Sequence, residues 1–167
     1  MKTKMVLLAM IAFFLVHGIG CKKELNIEFV DVSVPGKKCD MPDNYSLVYK
    51  KEFENILLFD LSEISEKEIQ NRLFRKDNAI EYLIYDSSVS EDILVSYRKV
   101  SQEVNAGIYG GICNFPNDVK LWNIPATGMY VNFTAEFFYS EWRLGPSAPV
   151  YYFIALTSLK IQQLWKH

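Results

Sequence analysis

Residues Gly128–Trp142 (GMYVNFTAEFFYSEW) constrain the fold of this chain more than any other stretch. In an extended strand successive side chains point to opposite faces. Met129, Val131, Phe133, Ala135, Phe137 and Tyr139 therefore share one face, and Tyr130, Asn132, Thr134, Glu136, Phe138 and Ser140 share the other. One apolar and one mostly polar face belong to an antiparallel sheet with one side covered. Gly145-Pro146-Ser147-Ala148-Pro149 is a turn, after which Val150–Ile161 returns as a long strand. Its nearly continuous apolar character implies burial on both faces or cover by helices.

Earlier segments supply the covering elements. Ile27–Val34 alternates as a strand, Pro35–Asn44 is a loop dense in turn formers, and Tyr45–Phe53 and Asn55–Leu61 read as a second and third strand on either side of Glu54. Ser65-Glu66-Lys67-Glu68 is a capping box, flanked by Ile64 and Ile69 as a hydrophobic staple. With Arg72, Arg75 and Lys76 at its far end, it predicts a helix over 65–76. Ala79–Tyr85 follows as a strand. Glu91 and Asp92 before Arg98 and Lys99, with Ile93, Tyr97, Val100 and Val104 on one stripe and Gly107 beyond, predict a second helix over 90–104. From Ile108 onward the chain is β-like and aromatic. The expected fold is a single α+β domain over 27–167, a mostly antiparallel sheet with two helices packed on one face.

The N-terminus carries an address. Lys2 and Lys4 precede an uncharged apolar run, Met5–Val16, and Gly18-Ile19-Gly20 then leads into Cys21. The run is shorter than the roughly 17–25 residues a spanning helix needs, and the order of basic, apolar and small residues is that of a cleaved secretory signal. With Cys at the cleavage point, residues 1–21 resemble a bacterial lipoprotein signal peptide. That resemblance implies removal of 1–20, lipidation of Cys21 and a short tether over 21–26. It also implies a cell-envelope location: a domain in the periplasm, held by its palmitate-type anchor to a membrane, the outer one in view of Lys22. Gly18 and Gly20 also fit an ordinary signal peptidase site, which gives the same mature start without lipid.

The three cysteines are Cys21, Cys39 and Cys113. If Cys21 carries lipid, Cys39 and Cys113 remain as an even pair available for one disulfide bond. The alternatives are two buried free thiols, or a metal site that falls short of the usual four ligands.

Loss of Lys2 and Lys4 with the signal leaves 16 basic and 20 acidic residues, a net charge of about −4. The lysine doublets at 22–23, 37–38 and 50–51 are scattered among acids, so nucleic-acid binding has no electrostatic footprint. Histidine occurs only at His17 and His167. Triads and zinc sites that use it therefore lack a candidate within the body of the chain. Carboxylate pairs such as Glu136/Glu141 or Asp86/Glu91 could support hydrolysis, but nothing around them separates them from surface acids. Gly107, Gly110 and Gly111 follow a predicted helix and enter a β-like segment, the reverse of the strand-to-helix order of a phosphate loop. No cofactor motif is present.

These features predict a small envelope lipoprotein acting as a non-enzymatic binding module. Either an assembly subunit or an immunity-type inhibitor fits, with another envelope protein or an incoming protein toxin as partner. The alternative is a small periplasmic enzyme or ligand carrier using carboxylates or a pocket in the sheet. Trp122, Tyr130, Phe138, Trp142, Tyr151, Tyr152 and Trp165 cannot all face one core. Of these, Tyr130, Phe138 and Trp142 are the candidate binding anchors, since large aromatics are favoured at interfaces. The anchor is tested by feeding labelled palmitate to expressing cells. The wild type is expected to incorporate it and Cys21→Ser is not; equal labelling of both, or of neither, refutes lipidation.

Overall fold

The computed structural model describes residues 27–36, 39–41, 43–73, 80–87, 94–100, 108–139 and 150–163. Its elements are β1 (Phe29–Val32), β2 (Ser46–Asp60), α1 (Glu66–Leu73), β3 (Ile80–Asp86), β4 (Leu94–Val100), β5 (Ile108–Ile112), a 3₁₀ turn (Asn117–Leu121), β6 (Met129–Tyr139) and β7 (Tyr151–Gln162). Strands run β7-β5-β4-β3-β2-β6, and β6 pairs back onto β7, so the sheet closes into a six-stranded barrel. β1 lies against the far end of β7, from Phe29 opposite Gln162 to Val32 opposite Leu159. The β2–β3 and β5–β7 pairs are parallel and the rest antiparallel.

The expected α+β sheet with two packed helices is therefore wrong: the described residues form a mostly-β barrel with one short α-helix. The first helix forms as the crossover between the parallel strands β2 and β3, a connection that hairpin turns cannot make. Its capping box is in place, with the Glu68 N–H donating to Ser65 Oγ (3.3 Å) and the Ser65 hydroxyl donating to Glu68 Oε2 (3.1 Å). Ile69 and Ile64 pack on the outside of the barrel wall with Phe59, Tyr82 and Ile84.

The second predicted helix is strand β4 over 94–100; the remainder of 90–104 lies outside the described residues. Val95 and Tyr97 fit a period of two as well as Tyr97 and Val100 fit a helical stripe. Antiparallel pairing from Ile80↔Val100 to Asp86↔Leu94 decides between them. The charges read as helix-dipole partners pair across the structure instead, Lys99 with strand β3 and Arg98 with helix α1. Lys99 Nζ lies 3.4 Å from Glu81 Oε1, and Arg98 Nε lies 3.9 Å from Glu66 Oε1.

The two strands expected on either side of Glu54 are one strand, β2, bent by a bulge between Phe53 and Ile56. Asn55 sits there at φ 55°, a left-handed conformation that Asn tolerates, and its N–H donates to Asn132 Oδ1 at 2.7 Å. The extra residue switches parity: Lys51 and Phe53 point inward before it, Ile56 and Leu58 after it. β7 does the same at Thr157, so Ile154 and Leu156 point inward before it and Leu159 and Ile161 after it.

The alternation of β6 is realised as expected. Met129, Val131, Phe133, Ala135 and Phe137 are buried, and Tyr139 is half-buried. Phe133 stacks on Phe53 (centroids 4.4 Å), and Phe137 stacks on Tyr49 (4.5 Å) with Tyr97 edge-on (5.7 Å). Gly110 has no side chain because Ile154 occupies the interior beside it. Packing at this density makes large-to-small changes costly. Phe133→Ala is expected to lose about 3–5 kcal/mol of unfolding free energy. Leu121→Ala, at a side chain 77% exposed, is expected to stay within about 0.5 kcal/mol. Chemical denaturation of both variants checks the pair.

Candidate functional site

The outward face of β6 and β7 carries the site. Pleating sends Glu136 and Phe138 outward from β6, and Ala155 and Thr157 outward from β7. These residues floor a cleft of about 710 Å³ whose opposite wall is formed by the described residues of the 34–41 region, Val34, Pro35, Gly36, Cys39 and Met41. That volume lies within the range of small-molecule and peptide pockets, about 300–1,000 Å³.

Two devices hold the wall. The first is the disulfide Cys39–Cys113, with Cα atoms 5.5 Å apart, the pairing that cysteine arithmetic anticipated. It closes a span of 74 residues, a constraint on the unfolded chain of about 4 kcal/mol by loop-entropy reckoning. The second is Asn114, the one buried polar residue among those described. Its Nδ2 donates to the carbonyls of Leu156 (2.9 Å) and Pro35 (3.3 Å), and its Oδ1 accepts from the Leu156 N–H (2.8 Å). The amide thus stands in for a missing strand neighbour of β7 and ties the loop to it. Cys113 itself is anchored through its N–H to the Ile154 carbonyl at 3.1 Å.

Beside the cleft the outer surface is apolar. Leu47 lies opposite Phe138, and Phe138 opposite Phe153, so β2, β6 and β7 contribute one row. Tyr45 and Tyr151 pack edge-on against Phe153 at 4.9 and 5.7 Å. Leu47 is 55% exposed, Val48 51% and Tyr151 49%. Exposure of this kind in adjoining large apolar side chains marks interaction surfaces.

Of the three predicted anchors, Phe138 lines the cleft and belongs to this row. Tyr130 also faces outward, but eight residues down the same strand, about 26 Å away at strand rise. Its N–H donates to Gln162 Oε1 (3.2 Å). Trp142 lies outside the described residues, as do Glu141, Glu91 and Cys21. Neither carboxylate pair can therefore be placed: Glu136 is in the cleft, 3.6 Å from Lys50 Nζ, and Asp86 ends β3. Sequence reasoning missed Asn114, Leu47 and the 34–41 wall. Nothing in a residue string shows that Leu47 sits on an outer face, and Asn114 was hidden by its place in an ordinary-looking loop.

A second polar cluster lies inside the barrel at its end near Tyr97. Glu81 receives Lys51 at 3.0 and 3.2 Å and Lys99 at 3.4 Å. It bridges β2 and β3 beyond the pairing of Leu57–Asp60 with Tyr82–Tyr85. Burial first, then the negative charge of Glu81 and a hydrogen bond to it, push the Tyr97 phenol far above its ordinary value. Burial likewise pushes Tyr49 up to about 12. Among the described residues no group of three or more His, Cys, Asp or Glu could hold a metal ion.

No family model, curated protein or solved structure matches the chain.

The tyrosines give the barrel a defined alkaline limit. A phenol whose folded pKa exceeds its unfolded value of about 10 stabilises the protein below that value and progressively less above it. Unfolding free energy is expected to fall as pH rises from about 10 towards 12, and Tyr97→Phe is expected to flatten that fall. Denaturant melts across this range check it; an unchanged slope in Tyr97→Phe contradicts it.

Proposed function

We propose that this chain is the lipid-anchored binding module of a bacterial envelope, docking another protein on the outer face of its barrel and performing no chemistry of its own. The observation that carries the reading is the outward row of exposed Leu47 and half-buried Phe138 and Phe153, flanked by Tyr45 and exposed Tyr151 and opening into the cleft. A rigid sheet face with large apolar side chains held edge to edge offers binding energy at little cost in conformational entropy. The lipoprotein-like signal supplies the address: Cys21 in a membrane, the domain in the periplasm, and either an envelope protein or an incoming protein toxin as partner. A mildly acidic surface suits both an assembly subunit and an immunity-type inhibitor.

The second reading, a periplasmic ligand carrier, is favoured by the cleft itself, which is large enough for a small amphipathic molecule. The two differ in what Leu47 does, since it lies on the row and does not line the cleft.

Affinity isolation from envelope extracts of the native host, with wild type and Leu47→Asp side by side, tests the proposal. The expected result is a protein partner retained by the wild type and weakened about 30-fold or more in the variant, as for an interface anchor worth about 2 kcal/mol. The melting temperature is expected to change little, because Leu47 is more than half exposed. A partner held equally by both proteins contradicts the proposed surface.

A further inference from the structure

We infer that the cleft beside the Cys39–Cys113 bridge receives an extended segment of a partner protein in which apolar residues flank a lysine or arginine, and that Glu136 is the group that selects the cation. The inference rests on the binding-module reading above and adds the chemistry of what is bound.

Among the described residues, Glu136 is the only charged one that lines the cleft. The other polar groups are already committed. The amide of Asn114 is used on both sides by Pro35 and Leu156, and the Thr157 hydroxyl donates to the Thr134 carbonyl at 3.3 Å. What remains to orient an occupant is one carboxylate in a setting of Val34, Pro35, Met41, Phe138 and Ala155. A ligand that matches it has an apolar body and a single positive charge.

Lys50 is the present counter-ion, at 3.6 Å from Glu136 Oε1 with its side chain 54% exposed. An exposed pair of this length is worth little, so a cation entering from the cleft can displace it. Partial enclosure by the 34–41 wall makes the incoming pair stronger than the one it replaces, because Coulomb attraction grows as water is excluded.

The occupant is a chain because of Phe138. This half-buried ring lines the cleft and is also the middle member of the outward apolar row that ends in exposed Leu47. A ligand that fills the cleft and covers its neighbour Leu47 must continue across the strands, as an extended peptide does and a small amine does not. The acidic balance of the protein points the same way, favouring encounter with basic segments.

The test uses the full chain in detergent, immobilised and presented with a phage-displayed random heptapeptide library. Selected sequences are then measured as synthetic peptides by calorimetry against wild type, Glu136→Gln, Lys50→Ala, Leu47→Asp and Gly36→Phe. Gly36 lines the cleft and a Cβ there meets nothing within 4 Å, so a phenyl group is accommodated at the cleft edge without a clash with the barrel.

The inference expects peptides with aromatic or aliphatic residues around Lys or Arg. It expects binding about tenfold weaker in Glu136→Gln, the scale of a charge-assisted hydrogen bond. Binding should be tighter in Lys50→Ala, weaker in Leu47→Asp, and abolished in Gly36→Phe at unchanged melting temperature. Acidic or uncharged peptides, or basic ones indifferent to Glu136→Gln, overturn the inference, and if they still depend on Leu47 the binding-module reading survives. Glu136-dependent binding of hexylamine with no peptide selected overturns the assignment to a protein segment and favours a ligand carrier. Failure to select any peptide overturns the inference; a native partner held equally by wild type and Leu47→Asp is what overturns the module itself.

Discussion

Strand β6 is hydrogen-bonded along both edges, to β2 from Ser46 to Leu58 and to β7 from Phe153 to Ile161. That double pairing closes the sheet. Without the β6–β7 ladder the six strands are an open sheet with two exposed edges; with it there is no edge left to satisfy along most of the wall. The inward residues of β6 then become the centre of the barrel, and the rings of Phe53, Tyr49 and Tyr97 gather around Phe133 and Phe137. Closure demands curvature, supplied by the bulges at Val48, Asn55 and Thr157.

The same constraint shapes the functional face. A strand fixed on both edges presents its outward residues rigidly, so Glu136 and Phe138 are held at a set spacing. Against this floor the 34–41 segment is hung by one covalent bond and one buried amide. The site therefore joins a stiff half made by the barrel to a half positioned by Cys113 and Asn114, two consecutive residues just past the end of β5. Binding to such a surface calls for little rearrangement of the floor, and whatever adjustment occurs falls on the wall.

How much of this could be read from the residues follows from what each signal encodes. β6 was legible because its period-two pattern runs unbroken for eleven residues. The capping box at Ser65 was legible because its chemistry is local. Cys39–Cys113 was legible as arithmetic. β4 was not: Leu94–Val100 carries both periods, and its state is decided by pairing with β3 and β5, which lie outside the segment itself. The unity of β2 was hidden because a bulge breaks alternation in the same way a turn does. Barrel closure and the cleft have no sequence signature at all. Both depend on register between β6 and β7, and Phe138 became a supported anchor only once Leu47 and Phe153 were found on either side of it. Tyr130, its equal by pattern, lies at the other end of the strand.

Native-state amide hydrogen exchange on oxidised and reduced protein tests whether a doubly paired strand carries a wall suspended from it. The amides of Val131–Phe137 are expected to exchange only through global unfolding in both forms, and reduction is expected to speed exchange of the Asn114 and 34–41 amides far more than theirs. If β6 exchanges as fast as the 34–41 segment in the oxidised protein, or if reduction leaves that segment's rates unchanged, the account is wrong.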